Sequence, residues 1–201
     1  MARTGILGGT FDPVHLGHLI VAEEARLALG LEQVLFMLAA QPWRKAGKAV
    51  SAGADRLAMV RLATADNPAF AASEIELQRE GPTYTADTLA ALRAELGSEA
   101  ELWFLMGADA LLDLPNWKDP EQIIALARLA VVERDGGAGA AVTQVERVLP
   151  GIAARIQRVA MPRIDMSSTE LRRRLREGRS TRYWLHPAVE RYATEHKLYR
   201  E

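Results

Sequence analysis

The sequence predicts a Rossmann-like α/β fold, an open parallel sheet with helices on both faces. Three observations predict it: short apolar runs of strand length, amphipathic segments at helical spacing, and regular alternation of the two along the chain. Strand, helix, strand repeated in this order implies parallel pairing through right-handed crossovers, and such sheets are covered on both faces.

The apolar runs at 4–7, 34–38, 70–77, 102–106, 129–132 and 156–161 read as strands. After the first, Val21, Ala25, Ala28 and Leu29 recur at helical spacing while Glu23 and Arg26 face elsewhere, and Gly30 supplies the stop. A second helix over 55–66 ends before Asn67-Pro68. A third opens at Thr85, which reads as its cap, buries Leu89, Leu92 and Leu96, and stops at Gly97. Asp119-Pro120 starts a fourth as cap and first-turn proline. Gly136-Gly137-Ala138-Gly139 reads as a flexible surface loop rather than a linker, so residues 1–201 are expected to form one domain.

Composition narrows the chemistry. With 201 residues, 49% of them hydrophobic and 25% charged, the chain suits one packed core. There is no cysteine, which excludes disulfides, thiolate catalysis and cysteine-held metal clusters, and permits a cytoplasmic setting. The first apolar run is too brief for a secretory signal, and no later one approaches the ~20 residues a membrane helix needs. A net charge of −1 argues against nucleic acid or an anionic membrane as partner, so an anionic substrate must be held by local donors. Charge is nevertheless uneven: residues 155–182 carry nine arginines against Asp165, Glu170 and Glu177.

The most informative segment is Gly8-Gly9-Thr10-Phe11-Asp12-Pro13-Val14-His15-Leu16-Gly17-His18, between the first strand and the first helix. In open parallel sheets ligands bind at the carboxyl ends of strands, where a glycine-rich loop admits phosphate to backbone N–H groups and the helix start adds positive potential. Gly8 and Gly9 fit that role. His15 and His18, three apart, project from one face of the first turn toward the helix start. Either histidine alone would read as a cap or a partly buried donor; two together, with Gly17 between them, read as an anion site. Phe11 and Pro13 pack and shape the turn. Other phosphate loops fail here: Gly47-Lys48 precedes alanine, unlike a P-loop, and Gly5, Gly8 and Gly9 do not supply a dinucleotide fingerprint.

Met166-Ser167-Ser168-Thr169-Glu170-Leu171-Arg172 opens another helix near the C-terminus. Ser167 and Glu170 have capping-box spacing, which alone would explain the serine. Three hydroxyls at a helix start with Arg172 one turn inward also make an anion site. Arg173, Arg174 and Arg176 read as a solvated helix face, ahead of an RNA-binding patch.

Three further segments bear on a second substrate. Gly81 to Leu89 leads a loop into a helix start at Tyr84 and Thr85, whose free backbone N–H groups favour a carboxylate. Asp109, at the carboxyl end of the fourth strand, suits ribose hydroxyls. Trp117 offers an indole for a flat heterocycle, although taken alone it reads as ordinary packing.

The His loop resembles the GTFDPxHxGH loop of the nucleotidyltransferase superfamily, and 166–172 is similar to its ISSTxIR motif. With GPTYTADTL and the GxDxLxxLxxW pattern ending at Trp117, the resemblance spans nearly the whole chain and points to bacterial nicotinate-nucleotide adenylyltransferases. The resemblance implies an ATP site of Gly8, Gly9, Thr10, Phe11, His15, His18, Ser167, Ser168, Thr169 and Arg172, completed by the helical part 167–201. It implies that His15 and His18 bind ATP phosphates as charge shifts to the leaving diphosphate, with no covalent intermediate, and that Mg²⁺ arrives with ATP. It further implies that the Tyr84 to Ala86 backbone takes the nicotinate carboxylate, that Asp109 orients the ribose, and that Trp117 stacks on the pyridine ring. One segment departs from the family's PxGQPPHK: here 38–45 reads LAAQPWRK, retaining Lys45 and placing Arg44 where the family has histidine. Both are expected at the acceptor. The expected substrates are ATP and nicotinate mononucleotide, with no protein-held metal; a homo-oligomer stays open. A pantetheine-phosphate enzyme on the same loop, or a non-catalytic nucleotide- or RNA-binding module, are the alternatives.

Overall fold

In the computed structural model, residues 2–40, 50–79, 81–97, 99–133 and 137–200 are described. All six expected strands form: β1 (Arg3–Gly9), β2 (Gln33–Leu38), β3 (Phe70–Ser73), β4 (Glu101–Gly107), β5 (Arg128–Glu133) and β6 (Ile156–Ala160). They pair in the order β3-β2-β1-β4-β5-β6, every neighbour parallel. Helices α1 (Leu16–Leu29), α2 (Gly53–Thr64), α3 (Thr85–Leu96), α4 (Ala108–Asp113), α5 (Pro120–Leu126), α6 (Ala138–Glu146), α7 (Ser168–Arg176) and α8 (Pro187–Glu195) cover both faces.

The period of two along each strand divides the core. Leu7, Phe36, Leu105, Ala130 and Val132 face one side, where they pack with Val21, Ala25, Val60, Leu171 and Val189 from α1, α2, α7 and α8. Their strand neighbours Ile6, Met37, Phe104, Met106 and Val131 face the other side and meet Leu89, Leu111, Ile123 and Val145 from α3 to α6. Because β1 pairs with β2 on one edge and β4 on the other, the winding reverses between β1 and β4, which opens a crevice at their carboxyl ends.

Several expectations are corrected. The third strand stops at Ser73 instead of 77, because Glu76 turns inward and its carboxylate accepts the Thr83 hydroxyl at 2.7 Å and the Thr88 hydroxyl at 2.9 Å. Glu76 is only 4% exposed, and a strand continuing through it would break those bonds. Ala28 and Leu96 lie on exposed faces, the apolar stripe of α1 running instead through Val21, Ala22, Ala25 and Leu29. Ala138 and Gly139, expected in a loop, form the first turn of α6 with Gly137 as its cap. Asp119 is the cap of α5 and Pro120 its first residue, as expected, but Asp119 stands in left-handed backbone, at φ 49°, and makes no side-chain cap bond.

Candidate active site

The crevice is built around the turn from β1 into α1. Gly9 is required there, since a Cβ would lie 2.8 Å from the Phe11 ring. Phe11 is 2% exposed and meets His18 edge-on at 5.0 Å, so its ring supports the site from beneath. His15 caps α1, and its backbone N–H donates to His18 Nδ1 at 3.1 Å. With Nδ1 accepting, the proton of neutral His18 sits on Nε2. The two imidazoles stack at 3.7 Å, and a Cβ on Gly17 would lie 3.1 Å from the His15 ring.

Distant segments hold this turn. Ser168 Oγ donates to the Pro13 carbonyl at 2.9 Å, and Arg172 donates to the Asp12 carbonyl at 2.7 Å while reaching Thr169 Oγ1 at 3.3 Å. The Leu16 N–H donates to the Trp184 carbonyl. As a result His15, His18, Gly17, Ser167, Ser168 and Thr169 line one cavity of about 330 Å³. Its remaining wall is apolar, with Leu7, Met106, Val132, Met161, Ile164 and Met166 at or beyond the strand ends. One half suits phosphate and the other a flat, uncharged ring system.

Ser167 does cap α7, accepting the Glu170 N–H at 3.2 Å, but the reciprocal half of the capping box is replaced. The Glu170 carboxylate pairs with Arg173 at 2.7 Å and Arg174 at 3.1 Å, and its hydrogen bond to Arg173 holds its pKa below the ordinary carboxylate value. Arg174 is no solvated residue: its guanidinium lies 4.4 Å from the Trp184 ring, fastening α7 to the segment before α8.

The other expected residues sit outside the lining of that cavity. Gly8, Gly9 and Thr10 form the exit of β1, with the Gly9 carbonyl accepting the Ala39 N–H. Tyr84, not Thr85, is the cap of α3; Thr85 is its first helical residue. The Tyr84 ring lies under Lys118 Nζ at 4.6 Å, and Lys118 also pairs with Asp87 at 3.1 Å. Trp117 is half-buried, donates through Nε1 to Asp113 at 2.8 Å and meets Phe104 edge-on at 6.0 Å. Asp109 is exposed in α4, its carboxylate so close over Gly107 that a Cβ there would lie 2.5 Å away. Arg44 and Lys45 lie outside the described residues.

Sequence reasoning missed Arg56. Although it is charged, it is 2% exposed on the inner face of α2 and donates to the carbonyls of Thr10, Ala39, Ala40 and Ser51 at 2.8 to 3.2 Å. Burial lowers its pKa, opposed by the nearby Asp12 and Tyr199. The missed signal was the spacing Arg56, Val60, Ala63, which puts the guanidinium in line with core residues.

A profile of the cytidylyltransferase-like family matches residues 6–174. A protein of Dehalococcoides mccartyi called a probable nicotinate-nucleotide adenylyltransferase is 45% identical over 98% of this chain and 97% of its own. One of the same name from Thermomicrobium roseum is 48% identical over 100% and 92%. This chain belongs to the nicotinate-nucleotide adenylyltransferase family. The fold of this family member also superposes on Plasmodium falciparum nicotinic acid mononucleotide adenylyltransferase complexed with NaAD, with a TM-score of 0.79 at 18% identity, covering 99% of this chain and 98% of that one.

In this adenylyltransferase-family chain, Arg56→Lys keeps the charge but loses the forked donors, leaving buried carbonyls unpaired. We expect a loss of about 1–3 kcal/mol in stability, read by urea unfolding. Stability equal to the parent protein would show that the carbonyls do not depend on the fork.

Proposed function

We propose that this chain transfers the adenylyl group of ATP to nicotinate mononucleotide, forming deamido-NAD and diphosphate, in the cytoplasm and as one unit over 1–201. The observation that carries the reading is the 330 Å³ cavity in which His15 and His18 meet Ser167, Ser168 and Thr169 beneath an apolar wall. That volume lies in the range of small-molecule sites, about 300–1,000 Å³. The adenine goes against Leu7, Met106, Val132 and Met161, and the phosphates go to the polar end.

The nicotinate mononucleotide phosphate attacks the α-phosphorus of ATP; a P–O bond forms to the acceptor as the bond to the β-phosphate oxygen breaks, and the electron pair leaves with diphosphate. The attacking oxygen is already ionised, so no general base is required, and positioning with charge stabilisation supplies the acceleration. His18 Nε2–H and His15 donate to the phosphates as negative charge moves onto the leaving group. Ser167, Ser168, Thr169 and the remaining N–H groups of Arg172 hold the β- and γ-phosphates, and Gly8, Gly9, Thr10 and Phe11 lend their backbone. Magnesium would arrive coordinated to the triphosphate and would neutralise part of its charge.

At the acceptor, the first-turn N–H groups of α3 at Thr85 and Ala86 take the nicotinate carboxylate, with Tyr84 and Lys118 beside them. Trp117 stacks on the pyridine ring through its exposed face, Asp109 accepts from the ribose, and Arg44 and Lys45 meet its phosphate. The half-buried state of Trp117 is compatible with both packing on Phe104 and stacking on a ligand.

The reading is tested by diphosphate release from ATP with nicotinate mononucleotide, nicotinamide mononucleotide or phosphopantetheine as acceptor. Deamido-NAD is expected from the first, and a preference for phosphopantetheine would overturn it. His18→Ala should lower kcat roughly 10²-fold or more, as loss of a transition-state donor does; steady-state rates at saturating ATP decide this, and unchanged turnover would remove His18 from the mechanism. Trp117→Ala should act mainly on the acceptor, raising its KM about tenfold or more while kcat changes little. A KM equal to that of the parent enzyme would refute the stacking role.

A further inference from the structure

The segment that follows α8 reaches the histidine loop. After α8 the backbone turns twice through the left-handed region, at Lys197 (φ 53°) and Tyr199 (φ 65°). Side-chain-bearing residues avoid that region, so contacts further along must fix the path. Leu198 and Tyr199 both pack on the core face formed with α1 and α2. Beyond packing, the Tyr199 hydroxyl donates to Asp12 Oδ1 at 2.7 Å. Asp12 is 2% exposed and stands three residues before His15, and its second oxygen accepts the Ser51 N–H at 3.3 Å. Burial raises the Tyr199 pKa far above the ordinary phenol value, so the hydroxyl remains a donor.

The donors described so far, Arg56, Ser168 and Arg172, grip backbone carbonyls of residues 10–13. Tyr199 differs, because it grips a side chain. A carboxylate buried this deeply needs its hydrogen bonds, and losing one is relieved most easily by shifting the loop that carries it. We propose that Tyr199 is a positioning residue for adenylyl transfer: its hydroxyl clamps the Asp12 carboxylate and thereby fixes the loop that presents His15 and His18. This inference rests on the functional reading above and extends it to a residue that acts through Asp12, not on substrate.

An internal comparison is available. Tyr192, on α8, donates its hydroxyl to Asp55 on α2 at 2.9 Å, a bond of the same chemistry that does not touch the histidine loop. The experiment compares Tyr199→Phe with Tyr192→Phe in thermal unfolding, in steady-state kinetics for ATP and nicotinate mononucleotide, and in ¹⁵N spectra of the histidine side chains without nucleotide. Tyr199→Phe should lower kcat about tenfold, the worth of one hydrogen bond's geometry at the reacting centre, with both KM values within about twofold. It should also move the His18 Nδ1 resonance away from its hydrogen-bonded acceptor position. Tyr192→Phe, at a bond between half-buried partners, should cost less thermal stability and leave kcat and the spectrum unchanged. Equal kinetic effects of the two variants, or an unaltered kcat and His18 spectrum in Tyr199→Phe, would overturn the proposal. Failure of the parent protein to make deamido-NAD would instead sink the functional reading, and the spectra would still judge the Tyr199 clamp.

Discussion

The site depends on the path of residues 10–15, which form neither strand nor helix. Backbone in that state has no repeating hydrogen-bond pattern to define it, so its shape must come from outside. Arg56, Ser168 and Arg172 supply it from 46, 155 and 160 residues away along the chain. The consequence is that the loop takes this path only when α2 and α7 are docked. An anion site must be preorganised to stabilise charge in a transition state, because donors that move during reaction give back much of their effect. Here preorganisation is spread over contacts that close the fold as a whole.

The same logic explains the histidine pair. Two imidazoles near one phosphate help only if their N–H groups point at it. The His15 backbone N–H occupies His18 Nδ1, which leaves the proton of the neutral ring on the far nitrogen. Phe11 fixes the ring plane from below, and Gly9 and Gly17 are the residues that leave space for Phe11 and His15 to sit there. The glycines of the motif therefore serve side-chain placement as much as approach of a ligand to backbone.

The inner sheet was legible in the sequence because a strand buried on both faces must be apolar along its length, as β1, β2, β4 and β5 are, while the half-exposed edge strands β3 and β6 were placed mainly by their spacing. The convergence of the His loop with Ser167 to Thr169 was legible only through resemblance, since nothing local in either segment says they share a cavity. What stayed hidden were buried polar residues whose meaning lies in their partners. Glu76 looked like part of a strand, and only the hydroxyls of Thr83 and Thr88 explain why the chain bends there. Arg56 drew no reading, and Arg174 read as part of a solvated helix face; a guanidinium finds four carbonyls or an indole only once the fold is assembled. Tyr199 carried no local signal, because its partner lies 187 residues earlier.

A protein with a net charge of −1 can still concentrate positive potential at one place, and the topology supplies the reason. All six strands run parallel, so the helices that follow them open at the same edge of the sheet. The starts of α1, α3, α4 and α7 each follow a strand end and present first-turn N–H groups toward that edge. Each carries roughly half a positive charge from the aligned peptide dipoles. Side chains then refine a field the fold has already created: hydroxyls at α7, imidazoles at α1 and a carboxylate at α4. Thr83 and Thr88, both tied to the buried Glu76, fix the start of α3. The start of α3 and the histidine loop are thus held by separate buried networks.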